Sequence, residues 1–276
     1  MIKKLINYKF SIKPILDTFI FELKKQWKKF VFFLVISIFI VFLQSFLLNI
    51  LLSTNLLPDT QTDFFSNGVG FLSLIVLFSG CLFFSGIICE EFKTKTGNIV
   101  FPKINKYKLI AGKYLGNLIF AIVIIGIYYF ILGLLGFYYY GGPINVRIFY
   151  SFGIALLYLL AISSFVTFFS SFMRSPTITI VVSILLLLIG FNIADSIVIA
   201  ITPDFETIYS LTYMGNLITS ILINPFPDPR YMDITINEFT IRTWITPSVE
   251  IGITILLLYT FICMILASYL FKRRQL

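Results

Sequence analysis

Six apolar runs, at residues 30–52, 68–89, 114–140, 148–173, 177–201 and 251–271, alternate along the chain with shorter polar segments. Each is long enough for the roughly 20 residues that a helix needs to cross the hydrocarbon core of a bilayer. The runs are continuously apolar, whereas the strands of a membrane barrel are about 10 residues long and alternate. The pattern therefore predicts an all-α integral membrane protein with six transmembrane helices. The third run ends in "GFYYYGGP", which reads as an aromatic interfacial belt followed by a turn. The 276 residues form a single transmembrane domain, with a polar loop at 90–113 and an outer interfacial segment at 203–248.

Two segments are amphiphilic without being spans. Residues 207–227, "TIYSLTYMGNLITSILINPFP", are uncharged and follow the fifth run after only "TPDFE". Counting them as a seventh crossing would carry the tail "KRRQL" outside and bring the acidic residues Asp228, Asp233 and Glu238 inside. Their many Ser, Thr, Tyr and Asn residues suit one or two helices lying in, or dipping into, the outer leaflet. Over residues 14–29, Leu16, Phe19, Ile20, Leu23 and Trp27 recur at helical spacing, with Asp17, Lys24, Lys25 and Lys28 largely on other faces. That spacing predicts a cytoplasmic elbow helix, or equally a basic anchor that orients the first span.

Composition agrees with the pattern. Hydrophobic residues make up 58% of the chain and charged residues 12%, with a mean hydropathy of +0.96. Soluble domains hold roughly 45–50% and about 25%. A soluble catalytic domain finds no room. With the N-terminus inside, 18 of the 21 lysines and arginines fall on the cytoplasmic side, and only Arg147, Arg230 and Arg242 lie outside. This bias places both termini and the 90–113 loop in the cytoplasm of a multi-pass protein of the cell membrane. The net charge of +8 is then accounted for by topology and anionic lipid headgroups, without a nucleic-acid partner.

Catalytic chemistry finds little support. The chain has no histidine, which excludes His-ligated haem, His-containing zinc sites and Ser/His proteolysis within the membrane. "EEFKTK" shares a glutamate pair with CAAX-type intramembrane peptidases, but Lys95 stands in place of the arginine and the partner histidines are missing. "AGKY" lacks the glycine and the Ser/Thr of a P-loop, so no ATP binds there in that way. Cys81, Cys89 and Cys263 lie in or beside the spans without metal-ligand spacing, and apolar packing explains them. Asp195 in the fifth run and Glu250 at the start of the sixth form a possible intramembrane polar site. For Asp195 the competing reading is an acid capped by Asn192 or Ser196, or one reaching the outer surface. Gly112 and Gly116 make a GxxxG suited to close helix contact.

The 90–113 loop, "EEFKTKTGNIVFPKINKYKLIAGK", carries six lysines between two greasy spans. Glu90 and Glu91 open it, Gly97 permits a turn, Ile99 and Val100 offer an apolar face, and Pro102 breaks any helix. A solvated linker needs only length and charge, whereas ordered Gly and Pro around a buriable "IVF" favour a docking surface. The order of acid pair, "KTG", apolar triplet, "FP", basic stretch and "GK" before a span resembles the cytoplasmic loop of ABC-2-type transporter permeases. Asn98 and Lys106 depart from that pattern, where Thr or Leu and an arginine are common. The layout of elbow helix, six spans, short "MRSP" turn and membrane-dipping segment extends the resemblance over the whole chain.

The resemblance implies a permease without catalytic residues of its own, binding no cofactor itself and driven by a separate ATPase subunit that carries ATP and Mg. It implies that Glu90, Glu91, Lys95, Thr96, Gly97, Ile99, Val100, Pro102, Lys106, Gly112 and Lys113 form the ATPase-coupling segment. It also implies a second permease, identical or not, and export of a hydrophobic or amphipathic substrate. The alternative is a polytopic protein that uses no ATP, either a secondary carrier or a structural or sensory scaffold. Carriers place ionisable or broken-helix sites near the midplane. Here the midplanes offer mostly Ser, Thr, Gly and Phe, which disfavours ion coupling but leaves a scaffold open.

Overall fold

A computed structural model describes residues 12–51, 58, 60–97, 104–202, 204–236 and 239–274. Six helical segments are long and apolar enough to cross a membrane: Lys13–Gln44, Gln61–Lys93, Lys106–Tyr140, Arg147–Phe172, Pro176–Ile201 and Val249–Arg273. They overlap the six apolar runs in order. The second is the most enclosed, with 67% of its apolar window buried, while the fifth and sixth stand at 17% and 22%. The core therefore sits around the second, third and fourth spans, and the others leave broad apolar faces outward.

Helix α1, Lys13–Leu51, runs for 39 residues without interruption, so the 14–29 stretch expected as an elbow is continuous with the first span. After Pro14 the helix contains neither Gly nor Pro, and nothing in its sequence stops it. At 1.5 Å per residue it is about 58 Å long, roughly twice the hydrocarbon thickness. Its buried stripe is Thr18, Glu22, Gln26, Phe30, Phe33, Ser37 and Val41, while Leu16, Ile20 and Trp27 are exposed. The amphipathic pattern therefore does not set the inward face: Thr18, Glu22 and Gln26 look into the protein, while Asp17, Lys24, Lys25 and Lys28 are exposed along with the apolar Leu16, Ile20 and Trp27.

The second span is broken. Helix α2, Gln61–Val69, gives way at Gly70 to α3, Leu72–Phe84; turns over 85–88 then lead to the short α4, Cys89–Lys93. The backbone groups freed at the second break are taken by one side chain. Ser170 Oγ accepts from the Ile88 and Cys89 N–H groups, each at 3.1 Å, and donates to the Ser85 carbonyl at 2.7 Å. Irregular backbone at this depth is tolerated only when the protein supplies such partners.

Helix α5, Lys106–Tyr140, lies along α1 in the same direction. The approach is close because of the GxxxG: a Cβ on Gly112 would stand 2.7 Å from the Ile15 carbonyl, and one on Gly116 would stand 3.2 Å from Glu22 Cβ. Helix α6, Arg147–Phe172, packs against the sixth span and against α3. The fifth span consists of α7, Pro176–Leu185, a π-helical turn Leu186–Gly190 and α8, Phe191–Ile201. The sixth span is α11, Val249–Arg273. Cys81, Cys89 and Cys263 are free and buried.

Between the fifth and sixth spans lie two short helices, α9, Leu211–Gly215, and α10, Leu217–Ser220. Leu211, Met214, Leu217 and Leu222 are fully buried against the bundle. The polar groups of this segment bond inward: Thr212 donates to the Leu187 carbonyl of the π-helical turn, Tyr259 to the Tyr209 carbonyl, and Ser151 to the Ile218 carbonyl. A two-stranded antiparallel hairpin follows, β1, Tyr231–Ile236, and β2, Phe239–Trp244. It is an addition to the helical class, anchored where Arg242 meets Asp233 directly across the register at 3.0 Å.

Candidate functional site

Helix α4 begins immediately after the Ser170-capped turn and stands among five helices, α1, α5, α6, α7 and α11. Each side chain in its middle is held by a different element. Glu90 pairs with Lys25 of α1 at 2.5 Å. Glu91 pairs with Lys113 of α5, and Thr96 Oγ1 donates to its other oxygen at 2.6 Å. Phe92 meets the Phe271 ring of α11 edge-on, with centroids 6.0 Å apart, and carries the Arg274 guanidinium 4.1 Å above its own centroid. Arg274 in turn donates to the Ser171 and Met173 carbonyls at the end of α6. Burial lowers the Arg274 pKa, and those carbonyls and the ring replace the water it has lost. Cys89 Sγ lies 3.8 Å from Thr179 Oγ1 of α7.

The residues expected to form the coupling segment divide into a mount and a tip. Glu91, Gly97, Gly112 and Lys113 are buried, Glu90 and Lys106 are half-buried, and Lys95 and Thr96 are exposed together with Lys93 and Thr94. Gly112 serves the α1 contact, and Lys113 faces inward to Glu91. Lys106 stands over the Phe271 ring at 5.4 Å. The turn expected at Gly97 is made at Lys95, whose φ of 55° is left-handed, while Gly97 is helical and buried. Thr94 holds that turn by donating to the Glu90 carbonyl, with its oxygen 2.8 Å from that of Thr96. Ile99, Val100 and Pro102 lie outside the described residues.

Asp195 and Glu250 are not brought together. Asp195 is half-buried on α8 beside Ser210 and Tyr209. Asn192 and Ser196 do not cap it, because their side chains bond the Leu188 and Asn192 carbonyls of their own helix. Glu250 is exposed in the first turn of α11, where a carboxylate complements the helix dipole. The three arginines outside the positive-inside pattern all have structural partners. Arg147 bonds the Ile223 carbonyl and Asn224 side chain, Arg230 pairs with Glu206, and Arg242 pairs with Asp204 and Asp233. Tyr213 also donates to Glu206, and burial followed by that carboxylate raises its pKa, which keeps it a donor.

Sequence reasoning passed over Phe92, Ser170, Lys25, Glu22 and Arg274. Lys25 and Arg274 were absorbed into the charge bias, Phe92 and Ser170 find their partners on distant segments, and Glu22 meets Asn117 as well as its neighbour Gln26. Among the described residues no cluster of three or more His, Cys, Asp or Glu could hold a metal.

These features define a polytopic helical membrane protein whose second span ends in a short helix clamped among the neighbouring helix ends. The family model described as ABC-2 family transporter protein matches residues 51–269, and the chain belongs to that family. It is therefore the membrane permease component of an ABC-type transporter. No curated protein matches it. Membership also weighs against the ATP-independent carrier or scaffold.

Proposed function

We propose that this permease is the membrane half of an ATP-driven exporter, worked by a separate ATPase subunit seated on the 90–113 segment. ATP and Mg belong to that subunit, and a second permease, identical or not, completes the unit. The cytoplasm of the cell is the side of both termini and of the 90–113 segment. The substrate is hydrophobic or amphipathic, in keeping with the chain's 32 Phe and 15 Tyr residues. The observation that carries the reading is the exposed tip over 93–96 on a helix whose Glu90, Glu91 and Phe92 each grip a different span. A push on the tip moves α4 as a lever, because the capped turn at 85–88 is the one irregular joint between it and α3.

The test separates tip from mount. Tagged chain is isolated from its native membrane and the accompanying proteins are identified by mass spectrometry. The wild type is expected to bring an ATP-binding-cassette ATPase with it. Thr94→Trp, at an exposed position, should lose that ATPase while reaching the membrane in normal amount. Phe92→Ala should keep the ATPase but lose the ATP-dependent change in distance between spin labels at Leu134 and Leu258. An ATPase retained in full by Thr94→Trp would remove the docking assignment.

A further inference from the structure

A groove of about 650 Å³ runs between α1 and α5 on the outward face of the protein. Its two ends differ in chemistry. At the end nearer the 90–113 segment it is bounded by Lys24 and Trp27; further along, its walls are Phe30, Ile119, Phe120 and Val123. The wall is a fixed aromatic surface, since Phe30 stacks on Phe120 at 4.5 Å and Trp27 leans on both. Lys24 is exposed, and so is Lys28 one helical turn beyond it; among the described residues neither has an ion pair. Neighbouring Lys25 is occupied by Glu90. Trp27 is 57% exposed, so its indole is open to the boundary between headgroups and acyl chains.

We infer that this groove binds one phospholipid with a net negative headgroup, from the leaflet on the side of the 90–113 segment. The phosphate lies against the Lys24 and Lys28 ammonium groups, the indole marks the glycerol level, and one acyl chain follows Phe30, Phe120 and Val123. Charge complementarity selects the occupant. A zwitterionic lipid such as phosphatidylcholine would satisfy the apolar wall but bring a choline cation beside its phosphate, which offsets the attraction to the two ammonium groups, and a soluble anion would leave the wall uncovered. The turn carrying Lys24 also carries Lys25, so the bound lipid steadies the part of α1 that holds Glu90. The site depends on the chain spanning a bilayer and not on the ATPase assignment.

The full chain, purified in detergent, is titrated with phosphatidylglycerol or phosphatidylcholine and read by native mass spectrometry. One phosphatidylglycerol is expected to be retained with roughly tenfold preference, the size that one or two lysines supply at an anionic surface. Lys24→Gln with Lys28→Gln should abolish the preference, and Lys24→Arg with Lys28→Arg should keep it. Val123→Trp, which fills the groove, should remove retention of both lipids. Thermal unfolding without added lipid checks that each variant is folded, and Ile119→Trp serves if Val123→Trp is not. Equal retention of the two lipids by the wild type overturns the proposal, as does a preference that survives loss of both lysines. Displacement of the lipid by glycerol phosphate at equal concentration would show a soluble-anion site and overturn it as well.

Discussion

Glu22 is 2% exposed; its Oε1 accepts from Gln26 and from Asn117, while its Oε2 has no partner. Asn117 Oδ1 beside it also lacks a donor. Glu22→Gln supplies an amide N–H₂ in place of the unpaired oxygen, and the expected result is a higher melting temperature in detergent, corresponding to about 1 kcal/mol. A lower melting temperature would show that the charge itself is required. Two ion pairs of similar geometry differ in burial, and their losses should differ accordingly. Lys113→Met strands Glu91 in the interior and should cost about 3–5 kcal/mol. Lys25→Met breaks a pair whose side chains are about a third exposed, and should cost about 1 kcal/mol or less. Equal losses in the same unfolding measurement would contradict the burial argument. None of these pairs was legible as a pair, because the two members lie on segments that only folding brings together.

At the scale of elements, the break at 85–88 depends on a residue 85 positions away. Ser170→Ala orphans the Ile88 and Cys89 N–H groups and should cost about 2–4 kcal/mol. Ser171→Ala is the control, since that hydroxyl bonds only the Phe168 carbonyl of its own helix and its removal should be near neutral. Comparable losses in the two variants would mean that the Ser170 cap is dispensable. The apolar run over 68–89 reads as one helix, and although Ser85–Gly86 stands at the interruption, the same Ser–Gly pair at 79–80 lies within helix α3, so the local sequence does not single out the break. The hairpin was more legible. "YMDITI" and "FTIRTW" alternate with β-branched residues around Asn237 and Glu238, a strand signal overshadowed by the helical pattern on either side.

For the whole molecule, the charge asymmetry expects one orientation. In a background with the three buried cysteines replaced, Asp228→Cys should label from outside intact cells and Lys272→Cys only after permeabilisation. Both positions are exposed, so access depends on the side of the membrane. Labelling of Lys272→Cys from outside would reverse the orientation and remove the 90–113 segment from the cytoplasm. The arginine exceptions at 147, 230 and 242 do not weaken that expectation, because each is bound to an acid, amide or carbonyl within the protein.

The number and order of the spans, the helical class, the membrane setting and the resemblance to ABC-2 permeases were all present in the one-dimensional pattern. They follow from solvent: a bilayer forces some 20 apolar residues into each crossing and leaves charge to the ends, whatever the neighbours do. The direction faced by each helix was decided by packing. Thr18, Glu22 and Gln26 turn inward on α1 because Gly112 and Gly116 let α5 approach and Asn117 offers a polar contact, while lipid accepts Leu16 and Ile20. The same holds for α4. Its acids and its phenylalanine read locally as a charged loop, and their roles come from Lys25, Lys113, Phe271 and Arg274, which sequence distance hides and the bundle assembles.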